Sequence, residues 1–357
     1  MKKTLAAVAV LGAFAGSALA ADVTLYGKVD LGLHYLHSDA YDKTVGENVK
    51  ADNWDLKTGG SSASRWGIKG SEQISEGLTV GFQLESGFDA DTGDDQDDLL
   101  FRRESRLYVA TDYGTLHMGR FGGLDAATGS LDLVAGLSAS GTGYGSYIND
   151  QSEVFYTTSR MNNSIAYTSP EFAGVKVSAM ASLGNDKKVG TGDAAVTYKE
   201  GSSKVDRYYA LGATGQWGAL GAGLVVSTED FGSKGDKAGQ DNSMNVTGGV
   251  NYDFGVAKVF VAANYYDSGK DDVDQWGTVI SAAAPVAGGS LEVSAGYGVK
   301  SEGTVDTDVM FAGGFYKYPL SKRTYVYAAA GYQQADKDGA KDKDSHIEAM
   351  SGICHNF

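Results

Sequence analysis

The sequence predicts an all-β fold, a transmembrane antiparallel β-barrel of 16 strands. Three observations carry that expectation. Residues 1–20 read as an export signal. Segments of about ten residues alternate apolar with polar side chains, as a tilted membrane strand requires. Short turns alternate strictly with long polar connections, and the chain ends on an aromatic residue, Phe357. Exported chains with this asymmetry are outer-membrane barrels.

The export signal comes first. Lys2 and Lys3 supply the positive start, and residues 5–14 form the apolar stretch. That stretch is too short to cross a membrane as a helix. Ala18-Leu19-Ala20 fits small-x-small cleavage, which leaves a mature chain from Ala21. Residues 21–357 show no linker, charge boundary or long internal repeat, and read as a single barrel domain.

Composition agrees. The chain has 50 Gly, 21 Tyr and only 3 Pro, which suits many strands joined by tight turns. Its net charge is −15, and becomes −17 once Lys2 and Lys3 are removed. A nucleic-acid partner would need a basic footprint and is excluded. The acid lies mostly in loop-like segments, so it describes the outer surface better than an interior. Cys354 is the only cysteine, so an internal disulfide framework is excluded, and it reads as a small filler near the barrel rim.

The alternation is clear in residues 291–300, where Leu291, Val293, Ala295, Tyr297 and Val299 oppose Glu292, Ser294, Gly296, Gly298 and Lys300. Residues 175–182 repeat it with one exception, Met180. Leu78, Val80, Phe82 and Leu84 oppose Thr79, Gly81, Gln83 and Glu85, while Val259, Val261 and Tyr265 oppose Lys258 and Asn264. A period of two gives each set its own sheet face. Short turns are expected at 75–77, 112–114, 170–174, 217–219, 254–256, 285–289 and 319–322. Long connections are expected at 36–64, 89–100, 121–160, 184–205, 229–242, 268–275, 301–306 and 335–345. Seven turns and eight loops join sixteen strands. All three prolines fall in the short turns, where a missing N–H harms no ladder.

Several segments match one family in order: Val23-Thr24-Leu25-Tyr26-Gly27-Lys28-Val29-Asp30, Ser64-Arg65-Trp66-Gly67-Ile68-Lys69-Gly70-Ser71-Glu72, and Phe82-Gln83-Leu84-Glu85-Ser86-Gly87-Phe88. Gly114-Thr115-Leu116-His117-Met118-Gly119-Arg120, residues 163–174, Leu320-Ser321-Lys322-Arg323-Thr324 and the Gly-x-x-His-x-Phe ending complete the set. On these residues the chain resembles the trimeric general porins of Gram-negative outer membranes, the betaproteobacterial type above all. The resemblance covers essentially all of the mature chain. It implies a homotrimer, a long third loop folded into the lumen, passive diffusion of ions and small hydrophilic solutes, and a terminal Phe357 read by the barrel-assembly machinery. Cys354 departs from the basic residue often found there, and residues 101–111 follow the family pattern only loosely.

The connection 121–160 is far above ordinary loop length. It is rich in Gly, Ala and Ser, and carries Leu131, Leu133, Val134, Leu137, Tyr144, Tyr147 and Ile148, too apolar for a free external loop. The resemblance implies that it is the constriction loop, with Asp125 and Asp132 at the waist and Asp150 and Glu153 further along. The opposite wall follows from parity. If Trp66 and Ile68 face lipid, Arg65 and Lys69 face the lumen. If Leu107 and Val109 face lipid, then Arg102, Glu104, Arg106 and Tyr108 face inward. Counting back from Ile165 and Tyr167 places Arg160 inward. A charge on the lipid face at mid-bilayer costs about 2–4 kcal/mol, so inward placement is also the cheaper one. The expected site is a cationic ladder facing loop acids across a water-filled waist, with modest anion preference. The competing reading makes these arginines braces in lumenal salt bridges.

Residues 89–98 hold six acids in ten. They read as a solvated outer loop, able to hold a divalent cation weakly against lipopolysaccharide or a neighbouring subunit. The EF-hand spacing does not fit, because Gly93 comes one position early. No cofactor and no enzymatic activity are expected. None of His34, His37, His117, His346 and His355 lies in a nucleophile motif, and no H-E-x-x-H occurs. A substrate-selective channel and a structural or adhesive barrel remain as alternatives. A sugar-selective path would need more aromatics than Tyr108, Tyr144 and Tyr147.

Overall fold

The computed structural model describes residues 23–42, 44–95, 99–140, 144–146, 148, 154–189, 196–232, 241–269, 272–340 and 343–357. The export signal lies outside the described residues, as do Tyr147, Asp150, Glu153 and positions 96–98 of the acidic run.

Alternating segments become strands that pair with their chain neighbours. They are β1 (Thr24–Asp42), β2 in two parts (Glu47–Thr58 and Arg65–Ser75), β3 (Leu78–Gly87), β4 (Glu104–Thr111) and β5 (Gly114–Gly122). After the long loop come β6 (Arg160–Thr168), β7 (Val175–Ser182), β8 (Arg207–Trp217), β9 (Leu220–Asp230), β10 (Met244–Asp253) and β11 (Lys258–Asp267). The wall is completed by β12 (Val273–Val286), β13 (Gly289–Glu302), β14 (Val305–Pro319), β15 (Thr324–Lys337) and β16 (Asp344–Asn356). A small hairpin, Lys187–Val189 with Val196–Tyr198, sits in the connection between β7 and β8. The two parts of β2 count as one strand because β1 pairs with both, through Leu31↔Thr58 on one side of the break and Lys28↔Arg65 on the other.

β16 then pairs antiparallel with β1, from Lys28↔Asn356 to Asp39↔Ser345, and closes the wall. Closure matters physically, since an open sheet edge in hydrocarbon would leave a row of backbone groups without partners. The last residue takes part: the Phe357 N–H donates to the Gly27 carbonyl at 3.0 Å, and Gly27 N–H donates to the Phe357 carbonyl at 3.1 Å.

The seven short turns fall where the sequence placed them, but several strands are longer than ten residues. The expected loop at 36–64 is largely strand, with a turn at 44–46 and Asp42↔Glu47 still paired. The connection at 301–306 shrinks to Gly303 and Thr304, because β13 ends at Glu302 and β14 begins at Val305. The reason is chemical. Beyond the hydrocarbon both faces of a strand meet water, so the apolar half of the alternation disappears while the backbone ladder continues.

Side-chain burial is inverted relative to a protein that folds in water. Outward residues are open, with Leu211 at 64% and Ile280 at 56% exposure, whereas inward Asp30 and Glu348 are at 0%. The apolar core lies between the long loop and the lumenal wall. Leu124 and Val134 pack with Phe121, Met180, Tyr208 and Val225. Leu137, Val154 and Phe155 pack with Ala262, Val279, Val309 and Phe311. Ile148 packs with Phe315, Tyr327, Ala329 and Met350. Burying such a side chain contributes about 1.5–3 kcal/mol, and six of them place the third loop inside the lumen.

Candidate channel constriction

The wall side of the constriction is set by strand register. Lys28↔Arg65, Arg65↔Gly87, Gly67↔Glu85 and Lys69↔Gln83 put Arg65, Lys69, Gln83 and Glu85 on one face. Gln83↔Arg106 and Glu85↔Glu104 extend that face to β4, and Tyr108↔His117 extends it to β5. Glu85 is the hub. It accepts from Arg103 Nε at 2.7 Å and from the Tyr26 hydroxyl at 3.0 Å, and Arg65 Nε lies 3.6 Å away. Glu104 is 2% exposed; its Oε2 faces Arg106 Nε at 3.5 Å, and its Oε1 accepts from the Ser130 N–H and hydroxyl at 2.6 and 2.7 Å. Arg106 also donates to Gln83 Oε1 at 2.8 Å and meets His117 Nδ1 at 3.2 Å. Lys69 lies over the Tyr26 ring, further toward the turn between β2 and β3.

Two positions reach their places by a route that counting parity does not give. β6 has a bulge at Asn163, with φ 51°, where the register with β5 shifts between Gly119 and Phe121. Counting back through it does not fix Arg160. Its side chain nevertheless reaches the loop and donates from Nη2 to Thr128 Oγ1 at 2.6 Å. Arg102 precedes the start of β4 and has no strand parity. It is half-buried, and its carbonyl accepts from Arg120 Nε at 2.7 Å. The neighbouring Arg103, 8% exposed, is the one that reaches Glu85. Sequence reasoning missed it, because parity was carried past the end of the strand. The adjacent pair of arginines was the available signal.

The loop acids separate. Asp125, 1% exposed, is withdrawn from the passage. It accepts from Thr158 Oγ1 at 2.5 Å, Tyr208 at 2.6 Å, Asn245 Nδ2 at 2.7 Å and the Ser227 hydroxyl. All four donors are neutral, and they tie the loop's first part to its return and to β8, β9 and β10. Asp132 instead borders an open space of about 460 Å³ that Arg65, Glu85, Arg103, Thr128 and Ser130 also line. Its oxygens accept from the N–H groups of Val134 and Ala135 at 2.8 and 3.1 Å, just ahead of the 3-10 turn Ala135–Leu137. Burial pushes its carboxyl up to about 6, the nearby Asp125 adds to this, and the two N–H groups oppose it. Among the described residues no group of three or more His, Cys, Asp or Glu could hold a metal ion.

The comparisons with known proteins agree with this geometry. Residues 6–338 match the Gram-negative porin family model. Outer membrane porin protein 32 of Delftia acidovorans is 29% identical over 379 residues, covering all of both chains. Among solved structures, the anion-selective porin from Comamonas acidovorans is similar with a TM-score of 0.70 and 24% identity, covering 94% of this chain and 100% of that one. The trimer form of OmpT from Vibrio cholerae is similar with a TM-score of 0.66 and 15% identity, over 95% of this chain and 100% of that one. The chain belongs to the Gram-negative porin family and forms a water-filled passive-diffusion channel in the outer membrane.

Proposed function

We propose that the waist prefers small anions modestly, and that its fixed charge sets this preference. The observation that carries the reading is the balance of charge. Arg65 and Arg103 share the single carboxylate of Glu85, Arg106 meets Glu104, and Arg160 bonds a neutral hydroxyl. Asp125 is sequestered, which leaves Asp132, among the described acids of the loop, beside the passage. Lys69 and Arg102 add positive charge nearby. The acid of the outer loops is screened beyond about 10 Å at 0.1 M salt, but an ion in the waist passes close to every guanidinium.

Reversal potentials in a salt gradient across planar bilayers test this. Anion preference is expected in the unmodified channel. Arg103→Glu, Arg106→Glu and Arg160→Glu should each shift it toward cations, most at low salt. Strong cation selectivity that ignores these changes would overturn the reading.

The assembly belongs to the same proposal. We take the working unit as a homotrimer, exported through a cleaved leader, inserted by the barrel-assembly machinery through Phe357 and embedded against lipopolysaccharide. The outward aromatic pair Tyr35 and Trp54, with ring centroids 4.7 Å apart, supports a covered face on β1 and β2. The channel carries out no chemistry of its own in this reading, and residues 89–98 form a hydrated outer surface with at most weak affinity for divalent cations.

A further inference from the structure

A cavity of about 300 Å³ lies between the 133–137 part of the third loop and strands β7 to β11. It shares no lining residue with the space beside Asp132. Its wall residues lie close to the turns at 170–174, 217–219 and 254–256. Short turns face the periplasm in an outer-membrane barrel, and a cavity of this size suits a small molecule. Its polar groups do not satisfy one another. Asn251 on β10 is 7% exposed, and its Oδ1 has no hydrogen-bond partner among the described residues. A buried acceptor in that state costs free energy and calls for an explanation. The register shows how it arises. Gln216↔Gly221 and Gly221↔Asn251 set these residues in one row across β8, β9 and β10. Gly221 has no side chain, and the amides on either side lean over it. A Cβ there would stand 2.6 Å from Asn251 Oδ1 and 2.8 Å from Gln216 Oε1. Gln216 donates from Nε2 to the Gly218 carbonyl at 2.6 Å, so its oxygen is the atom beside Asn251. Two acceptors converge over Gly221.

Charges of both signs line the same cavity. Lys176 Nζ lies 3.7 Å from Glu171 Oε2, and each side chain is more than half exposed. Lys258 Nζ stands over the Phe260 ring, 5.1 Å from its centroid. Leu133 and Leu137 supply an apolar side from the loop. We propose that this cavity binds a small zwitterion, an α-amino acid with an apolar side chain. Its ammonium group donates to Asn251 Oδ1 and Gln216 Oε1, with Glu171 as the countercharge. Its carboxylate goes to Lys176 and Lys258, and its side chain meets Leu133 and Leu137. A simple anion brings no donor for Asn251 and meets the Glu171 carboxylate. A hydroxy acid brings a donor but no positive charge for Glu171. A simple cation meets two ammonium groups. None of the arginines that set ion preference takes part, so the site does not rest on that preference.

Titration calorimetry on the folded channel in detergent tests this with three probes: leucine, its hydroxy-acid analogue and its decarboxylated amine. Leucine should bind saturably. Each analogue should bind about tenfold more weakly, as the loss of a charge-assisted hydrogen bond predicts. Asn251→Leu removes the free acceptor, and Gly221→Ala fills the space between the two amides. Each should weaken leucine binding about tenfold. Lys176 is exposed, so Lys176→Met reads the carboxylate end in a variant that folds even if the buried changes do not. It should weaken leucine to a similar degree. Absence of saturable leucine binding would overturn the proposal. So would a hydroxy acid that binds as tightly as leucine, which would make this an anion site. So would any folded variant of the three that binds leucine as tightly as the unmodified channel.

Discussion

Asp125 and Asp132 lie seven residues apart on one loop and meet different fates. Asp125 is enclosed by four neutral donors and works as a tether. Asp132 borders the passage with a carboxyl raised to about 6 by burial. Above that pH it carries a negative charge in the space that Arg65 and Arg103 also line, and below it the charge is lost. Anion preference should therefore strengthen as pH falls through about 6. Asp132→Asn should show the stronger preference at all pH values and remove that step, which reversal potentials on either side of pH 6 would reveal. The same step persisting in Asp132→Asn would assign it to another group and overturn this reading.

At the scale of the element, the third loop is held as much by what the wall lacks as by what the loop carries. Cβ atoms on Gly212 and Gly223 would meet Leu133 and Leu137, and Cβ atoms on Gly277 and Gly313 would overlap the carbonyl oxygens of Val154 and Ile148. These glycines, on β8, β9, β12 and β14, let the loop backbone lie directly on the sheet. Gly313→Ala should displace the Ile148 segment and cost about 1–3 kcal/mol, as overpacking does, read as a lower melting temperature of the folded barrel. An unchanged melting temperature would mean that the loop moves aside without loss. Deleting residues 129–143 should raise conductance and relax size exclusion, because Val134 and Leu137 within it pack against the lumenal wall. Correctly folded channels with wild-type conductance would contradict this.

The whole molecule depends on its closing seam. The two hydrogen bonds between Gly27 and Phe357 end the β1–β16 pairing, and the Phe357 ring lies over Gly27, where any Cβ would meet it. Phe357→Asp introduces a charge at this seam, whose cost rises from near zero at the interface to about 2–4 kcal/mol at mid-bilayer. Membrane insertion should fail while export continues, so the chain should collect in the periplasm. Heat-modifiable barrels of the variant at wild-type abundance in outer membranes would refute the prediction.

The sequence by itself determined the architecture: strand number, turn positions and which connection is exceptional. Each of these follows from a local rule, namely period-two alternation, turn chemistry or loop length, that neighbouring residues state completely. It also placed Arg65, Lys69, Glu104 and Arg106 on one face, because β2 and β4 run without a bulge through those positions. Only the tertiary structure decided the rest. The bulge at Asn163 breaks the count toward Arg160, and the late start of β4 gives Glu85 to Arg103 rather than to Arg102. Asp125 leaves the passage because Tyr208, Ser227 and Asn245 reach it from three strands, the last of them 120 residues away. Glu348 meets the loop tip from about 200 residues further along the chain. Such pairings depend on how the loop lies against the closed wall, and no local pattern in the sequence encodes that contact.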